Sequence, residues 1–292
     1  MKKIRSYKIP LISVIIIFSI IFLCQGCLIS NTKFGPSTRF IYVLQNAGFK
    51  DLSDTEFNIA VVDPDESKLS QDDLKNLHNM DKVIMAYLSI GEAENYRSYW
   101  KNDWETGSPV FIDDENPDWK GNYKVRYWYE EWQQIIFSML NEIVSLGYDG
   151  IYLDVIDSFE YYKNKGFDFA EEEMVELVIN ISKEAKKRNK NFLIVPQNAE
   201  GLLSHKSYLS AIDGIGREDL WYIDNNLQAE EELETALLHL NKAIDSGKFV
   251  LVISYPTEKD KKCNFIKMAK EHNFIPYVGR RELDTIETTD CD

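Results

Sequence analysis

The chain has 292 residues, a formal net charge of −15 and 44% hydrophobic residues. That length suits one large buried core, and the acidic balance speaks against nucleic acid, whose phosphates are met by basic patches. Beyond Cys24 and Cys27 there are only Cys263 and Cys291; they lack metal-ligand spacing, and in an exported protein they suit one disulfide holding the C-terminal end, which sequence alone does not prove.

Residues 1–26 read as an export signal. Lys2, Lys3, Arg5 and Lys8 form a positive n-region, and the apolar run over 11–23 is shorter than the about 20 residues a membrane span needs. Gly26-Cys27 after that run points to lipid attachment at Cys27, although Cys24 and Gln25 stand where an aliphatic and a small residue are preferred. An uncleaved anchor or ordinary cleavage nearby are the alternatives. The signal carries four basic and no acidic residues, so the remainder is more acidic still. That excess fits simple solubility or a cationic substrate. Residues 27–38 read as a tether, 39–284 as one domain and 285–292 as a C-terminal tail. A monomer is expected, tied to a membrane only through its N-terminal lipid.

Within the domain, short apolar runs alternate with longer helical patterns, the mark of βα units and a parallel sheet. Strands are expected near 40–44, 59–62, 83–88, 150–153, 192–195, 211–215, 249–253 and 274–278. Eight such strands close a (β/α)8 TIM barrel. Ser70 and Asp73 resemble a capping box. Helices are expected over 130–146, with Gly147 as the stop, and over 171–188, with an acidic start and a basic end. Two more are expected over 229–246 and 259–272. About 60 residues separate the third and fourth strands, far more than one helix needs. This long aromatic-rich loop holds Trp100, Trp104, Trp119, Tyr123, Tyr127, Trp128 and Tyr129. Trp119, Tyr127 and Trp128 suit stacking against sugar faces, or loop and core packing.

Function in such a barrel lies at the C-terminal strand ends. The residues there are Gln45 and Asn46; Asp63 and Asp65; Ser89, Gly91 and Glu92; Asp154 and Asp157; Gln197 and Asn198; Glu218; Ser254 and Tyr255; and Gly279, Arg280 and Arg281. The ring has no histidine, which speaks against a zinc hydrolase, and no lysine, which speaks against Schiff-base chemistry. No glycine-rich phosphate cradle follows the seventh or eighth strand. Arg280 and Arg281 suit rim salt bridges or an anion. Paired carboxylates fit glycosidic cleavage, which needs one protonated and one ionised carboxyl. Asp154 and Glu218 fall on the fourth and sixth strands of one rim. Each also has a plainer reading, Asp154 as a bonding partner of backbone amides and Glu218 as the ion-pair partner of Arg217. Asp157 reads as a cap for the loop or helix that follows.

These residues resemble glycoside hydrolase family 114, the endo-α-1,4-polygalactosaminidase-like barrels, whose bacterial relatives have also been labelled extracellular relatives of cysteinyl-tRNA synthetase. The resemblance covers nearly all of 40–284. It rests on Tyr87-Leu-Ser-Ile-Gly-Glu-Ala-Glu94, Val125-Arg-Tyr-Trp128, the stretch 147–157, Pro196-Gln-Asn198 and Gly214-Ile-Gly-Arg-Glu218. It implies a retaining, endo-acting glycosidase with Asp154 as nucleophile and Glu218 as acid/base, acting on an amino-sugar polysaccharide without a cofactor. Asp63, Ser89, Glu92, Trp119, Tyr127, Trp128, Asp157, Gln197, Asn198 and Tyr255 are the expected substrate-binding residues. The first-strand end, with Gln45 and Asn46, departs from the family pattern. The alternatives are a non-catalytic carbohydrate-binding lipoprotein and a hydrolase of another glycan on the same barrel.

Overall fold

A computed structural model describes residues 34–291. The expected export signal, Cys27 and most of the expected tether lie outside the described residues.

The protein is a (β/α)8 barrel. Its strands are β1 (Phe40–Val43), β2 (Ile59–Val62), β3 (Val83–Ser89), β4 (Gly150–Asp154), β5 (Leu193–Pro196), β6 (Gly214–Glu218), β7 (Phe249–Ser254) and β8 (Ile275–Val278). The first five form one parallel sheet in chain order, and β6, β7 and β8 form another. A parallel bridge between Gln197 and Gly216 joins β5 to β6. Phe40 of β1 meets Tyr277 of β8 edge-on at 5.9 Å, which brings the last strand beside the first. Most strand residues are buried, as expected where helices cover the outside of a filled barrel.

Aromatic rings fill the lumen. Tyr42 and Tyr152 lie 5.2 Å apart, and Phe34 meets Phe249 edge-on at 5.2 Å from below. Two glycines of β6 make the room. A Cβ at Gly214 would come within 2.5 Å of the Phe249 ring, and one at Gly216 within 1.9 Å of the Tyr152 hydroxyl.

The helices follow their local signals. Ser70 accepts from the Asp73 amide, and Asp73 returns the bond to the Ser70 amide. The helix Glu130–Leu146 ends at Gly147 with φ +102°, a conformation that only glycine adopts freely. Ala170–Arg188 carries Glu171, Glu172 and Glu173 in its first turn and Lys186, Lys187 and Arg188 in its last.

Two expectations are corrected. The sixth strand starts at Gly214, three residues later than the apolar run 211–215 suggests. Ala211 ends the helix Lys206–Ala211, and Asp213 turns back to accept from the Ile194 amide at 3.0 Å. The apolar run therefore spans a helix end and a strand start. The stretch after β3 is also not a plain loop. Glu92–Glu94, Asn122–Val125 and Ile112–Glu115 form an antiparallel sheet with Asn122–Val125 in the middle. Tyr99, Trp100, Trp104 and Phe111 pack there on one another and on Trp132. Cys263 and Cys291 form a disulfide that ties the C-terminal segment to the helix Lys259–Glu271.

Candidate active site

Asp154 ends β4, and its two carboxylate oxygens are held separately. The Tyr87 hydroxyl donates to Oδ2 at 2.6 Å, and the Val155 amide donates to Oδ1 at 2.7 Å. The second bond needs a kinked backbone. Val155 has φ +58°, where a β-branched residue costs about 1–3 kcal/mol. Gly91 on the neighbouring rim allows the kink, since a Cβ there would lie 2.0 Å from the Val155 carbonyl oxygen. Burial, and then the charge of Glu218, push Asp154 up to about 7.

Glu218 ends β6 in a parallel arrangement. Gln197 Nε2 donates to Oε2 at 2.8 Å, and the Tyr255 hydroxyl donates to Oε1. The Tyr42 hydroxyl donates to Gln197 Oε1 at 3.3 Å, which turns the amide nitrogen toward Glu218. Asn198, at φ +60°, accepts from the Glu218 amide at 3.1 Å and from Arg217 at 3.3 Å. Burial pushes the Glu218 carboxyl above the usual range, against the Tyr255 bond and the charges of Arg281 and Arg217. Arg281 lies 4.5 Å over the Tyr255 ring and is anchored by Asp219 at 3.0 Å and Asp224 at 2.9 Å. The two arginines are thus engaged differently: Arg281 stacks behind the site, while Arg280 pairs with Asp284 at 3.5 Å.

The two carboxyls are half-buried, burial raises both, and the charge of Glu218 further opposes ionisation of Asp154. Two interacting carboxyls, both raised, give up their protons in separate steps. An acid and an ionised carboxylate then stand on one rim, which is what glycosidic cleavage needs. Each carboxyl has two donors, so the hydrogen bonds do not distinguish the two roles.

The other expected residues divide. Gln197, Asn198 and Tyr255 gather around Glu218. Asp63 is buried, caps the turn Pro64–Ser67 and takes both Arg97 terminal nitrogens, at 2.8 and 2.6 Å. Glu92 is buried under Lys124 at 2.5 Å and Asn116 at 2.8 Å. Ser89 donates to the Glu92 carbonyl at 2.9 Å. These three brace the rim. Asp157 is exposed at the N-cap position of the helix Ser158–Asn164, but its side chain caps nothing. Trp119 is exposed in the turn between two rim strands. Tyr127 is corrected to a core residue, because it is wholly buried and its hydroxyl donates to the Ala170 carbonyl at 2.6 Å. Trp128 packs against Tyr162, Phe167 and Phe169. Gln45 donates to the Glu282 carbonyl at 2.9 Å, so its side chain serves the C-terminal segment.

Sequence reasoning missed Tyr42, Tyr87, Tyr152 and Gly216. The signal was present as strand alternation: Tyr87, Tyr152 and Gly216 each stand two residues before a tip residue, Ser89, Asp154 or Glu218, and so face the same way. Among the described residues no group of three His, Cys, Asp or Glu side chains is arranged to hold a metal ion.

The profile of glycoside-hydrolase family GH114 matches residues 28–291. An uncharacterised protein of Methanocaldococcus jannaschii is 39% identical over 279 residues, covering 89% of this chain and 80% of its own length. One of Thermotoga maritima is 34% identical over 292 residues, covering 94% and 90%. Among solved structures, Aspergillus fumigatus Ega3 in complex with galactosamine superposes with a TM-score of 0.68 at 18% identity, covering 88% of this chain and 98% of that one. The glycoside hydrolase domain of PelA from Pseudomonas aeruginosa gives a TM-score of 0.68 at 16% identity, covering 89% and 100%. At these identities the two structures speak to the fold.

Proposed function

The chain belongs to glycoside hydrolase family GH114, and from that membership we propose that it is an exported, endo-acting and retaining glycosidase of an amino-sugar polysaccharide of the α-1,4-linked galactosamine type. The observation that carries the reading is the half-buried pair Asp154 and Glu218, each held by two donors on one rim. In the reacting state the shared proton lies on Glu218: Asp154 attacks the anomeric carbon while Glu218 gives that proton to the leaving oxygen. Glu218 then takes a proton from the water that releases the sugar from Asp154.

The galactosamine bound in Ega3 supports an amino sugar. So does the acidic chain, because a deacetylated sugar is a cation at neutral pH. Trp119 offers an exposed ring to a sugar face. The reading needs no cofactor and no second subunit. The Cys263–Cys291 disulfide favours an oxidising compartment and so supports export, with Cys27 as the lipid attachment point.

The test is reducing-end release from partially deacetylated poly-galactosamine, with the Glu218→Gln variant beside the parent. Release by the parent and loss of about a thousandfold or more in the variant is the expected result. Equal release by both removes Glu218 from the chemistry. Binding without release by either moves the reading to a carbohydrate-binding protein.

A further inference from the structure

The C-terminal segment carries an arginine to the back of the candidate site. β8 leaves the barrel through Gly279, whose amide donates to the carbonyl of Ser254, the residue before Tyr255, at 3.1 Å. The chain then turns over 280–283, with the Leu283 amide donating to the Arg280 carbonyl at 3.0 Å. At the end of β1, the amides of Leu44 and Gln45 donate to the Leu283 carbonyl at 2.8 and 3.0 Å. The turn is therefore pinned to β7 on one side and β1 on the other, and the Cys263–Cys291 disulfide holds the segment beyond it.

Arg281 stands in this turn and reaches Glu218 by two routes. Its guanidinium lies 4.5 Å over the Tyr255 ring, and the Tyr255 hydroxyl donates to Glu218 Oε1. A cation on the face of a phenol draws on its π electrons and makes the hydroxyl a better donor. Arg281 Nη2 also donates to both oxygens of Asp219, at 3.3 and 3.0 Å, and Asp219 is the next residue after Glu218. Asp224 holds the guanidinium from the far side at 2.9 Å. A lone surface ion pair contributes little. Here two carboxylates and a ring fix one guanidinium, and two of those three contacts are direct neighbours of Glu218.

The charges agree with the geometry. Burial raises the Glu218 carboxyl, the Tyr255 bond lowers it, the charge of Asp219 raises it and that of Arg281 lowers it. The other titratable or charged groups around Glu218 are Asp154 and Tyr152 on β4, Tyr42 on β1, and Arg217. Arg217 pairs with Glu200 at 3.3 Å, which leaves the Tyr255 side to Arg281. Without Arg281, Tyr255 would be a weaker donor and Asp219 an unscreened negative neighbour. Both changes favour a protonated Glu218.

We propose that Arg281 is a positioning residue: through the Tyr255 ring and Asp219 it holds Glu218 in place and keeps its ionised form accessible. The inference rests on the reading of Glu218 as the acid/base, and not on which glycan is cut. A group that gives a proton in the first half of the reaction and takes one in the second must reach both states. Burial alone favours the protonated one, and Arg281 opposes it from behind.

The test is Arg281→Met in the whole protein, with Arg280→Met beside it. The Glu218 carboxyl is titrated by carbon-13 NMR without substrate, its signal assigned as the one missing from Glu218→Gln. Loss of Arg281 should raise the Glu218 midpoint by about 1 pH unit, and Arg281→Lys, which keeps the charge, should fall between parent and Met variant. Arg280→Met removes the same charge from the same turn, but Arg280 pairs with Glu282 at 3.8 Å and Asp284 at 3.5 Å, so the midpoint should stay where it is. The kcat profile of Arg281→Met moves up with the midpoint: the alkaline limb where proton donation limits turnover, the acidic limb where proton uptake does. A Glu218 midpoint that stays in place in Arg281→Met overturns the proposal, and so does an equal rise in Arg280→Met. If the midpoint rises but the parent cuts no glycan, the glycosidase reading fails and the hold of Arg281 on Glu218 stands. If Arg281→Met does not fold, Arg281→Gln, whose amide can still donate to Asp219, is read by the same criteria.

Discussion

Replacing Asp154 with Asn should make the protein more stable at alkaline pH and no more stable in acid. Burial and the charge of Glu218 raise the carboxyl from its ordinary 3.8 to about 7 in the folded state. An acid raised in this way favours the folded state while protonated and penalises it once ionised. Below about pH 4 both states are protonated and the penalty is zero. It grows through the window between the two values and is complete above about pH 7. A shift of roughly 3 units at 1.36 kcal/mol each is about 4 kcal/mol. Asn keeps the shape: its oxygen still accepts from the Val155 amide, and its nitrogen donates to a Tyr87 hydroxyl that has turned to accept. Partial solvent access reduces the gain to about 2–4 kcal/mol. For a domain of this size that is a rise of roughly 5–10 °C in thermal midpoint at pH 8. Calorimetry of parent and variant between pH 4 and pH 8 is the assay. Equal midpoints at pH 8, or a gain that is the same at every pH, would refute the argument that Asp154 is held at a raised value.

Two other outcomes follow from the same geometry. Tyr87→Phe removes the donor to Asp154 Oδ2 and leaves the ring, so the acidic limb of the kcat/KM profile should move up by about 1 pH unit; a uniform loss at all pH values would mean that Tyr87 does not tune this carboxyl. Trp119→Ala and Tyr127→Phe should part company. The first raises KM several-fold by loss of about 1 kcal/mol of stacking and leaves the thermal midpoint alone, while the second costs about 1 kcal/mol of stability and leaves KM alone. The reverse pattern in binding and melting measurements would exchange their assignments.

The barrel was legible because each strand is a short apolar run between turn or capping residues, and because Gly147 and the Ser70–Asp73 pair mark helix ends locally. Asp154 and Glu218 were legible as carboxylates at the ends of such runs. What surrounds them was less so. Tyr127 sits among turn residues and reads as a loop ring, yet tertiary packing buries it against Ala170, which is 43 residues away in the chain. Asp63 and Glu92 read as site acids because nothing local reveals Arg97 and Lys124, whose pairing depends on the rim sheet. The tyrosines under the site look like ordinary strand residues, and their hydroxyls acquire meaning only when four strands converge.

That convergence bears on how the pair holds its proton. Asp154 has one donor that can never accept, the Val155 amide, and one that can reverse, the Tyr87 hydroxyl. Glu218 has the same combination in Gln197 and Tyr255. Gln197 could reverse only by an amide flip, and that would also turn its oxygen away from the Tyr42 hydroxyl. In each carboxyl, then, one oxygen stays an acceptor and the proton belongs on the other, Oδ2 or Oε1, facing a tyrosine. A phenol accepts from a protonated carboxyl and donates to an ionised one by rotating a single bond, so neither state leaves a buried group unmet. Lysine in the place of Tyr87 or Tyr255 would hold its carboxyl ionised, and leucine would leave the oxygen that carries the proton without a partner. Tyrosine at both positions keeps both protonation states accessible, as a residue that first gives up a proton and later takes one back requires.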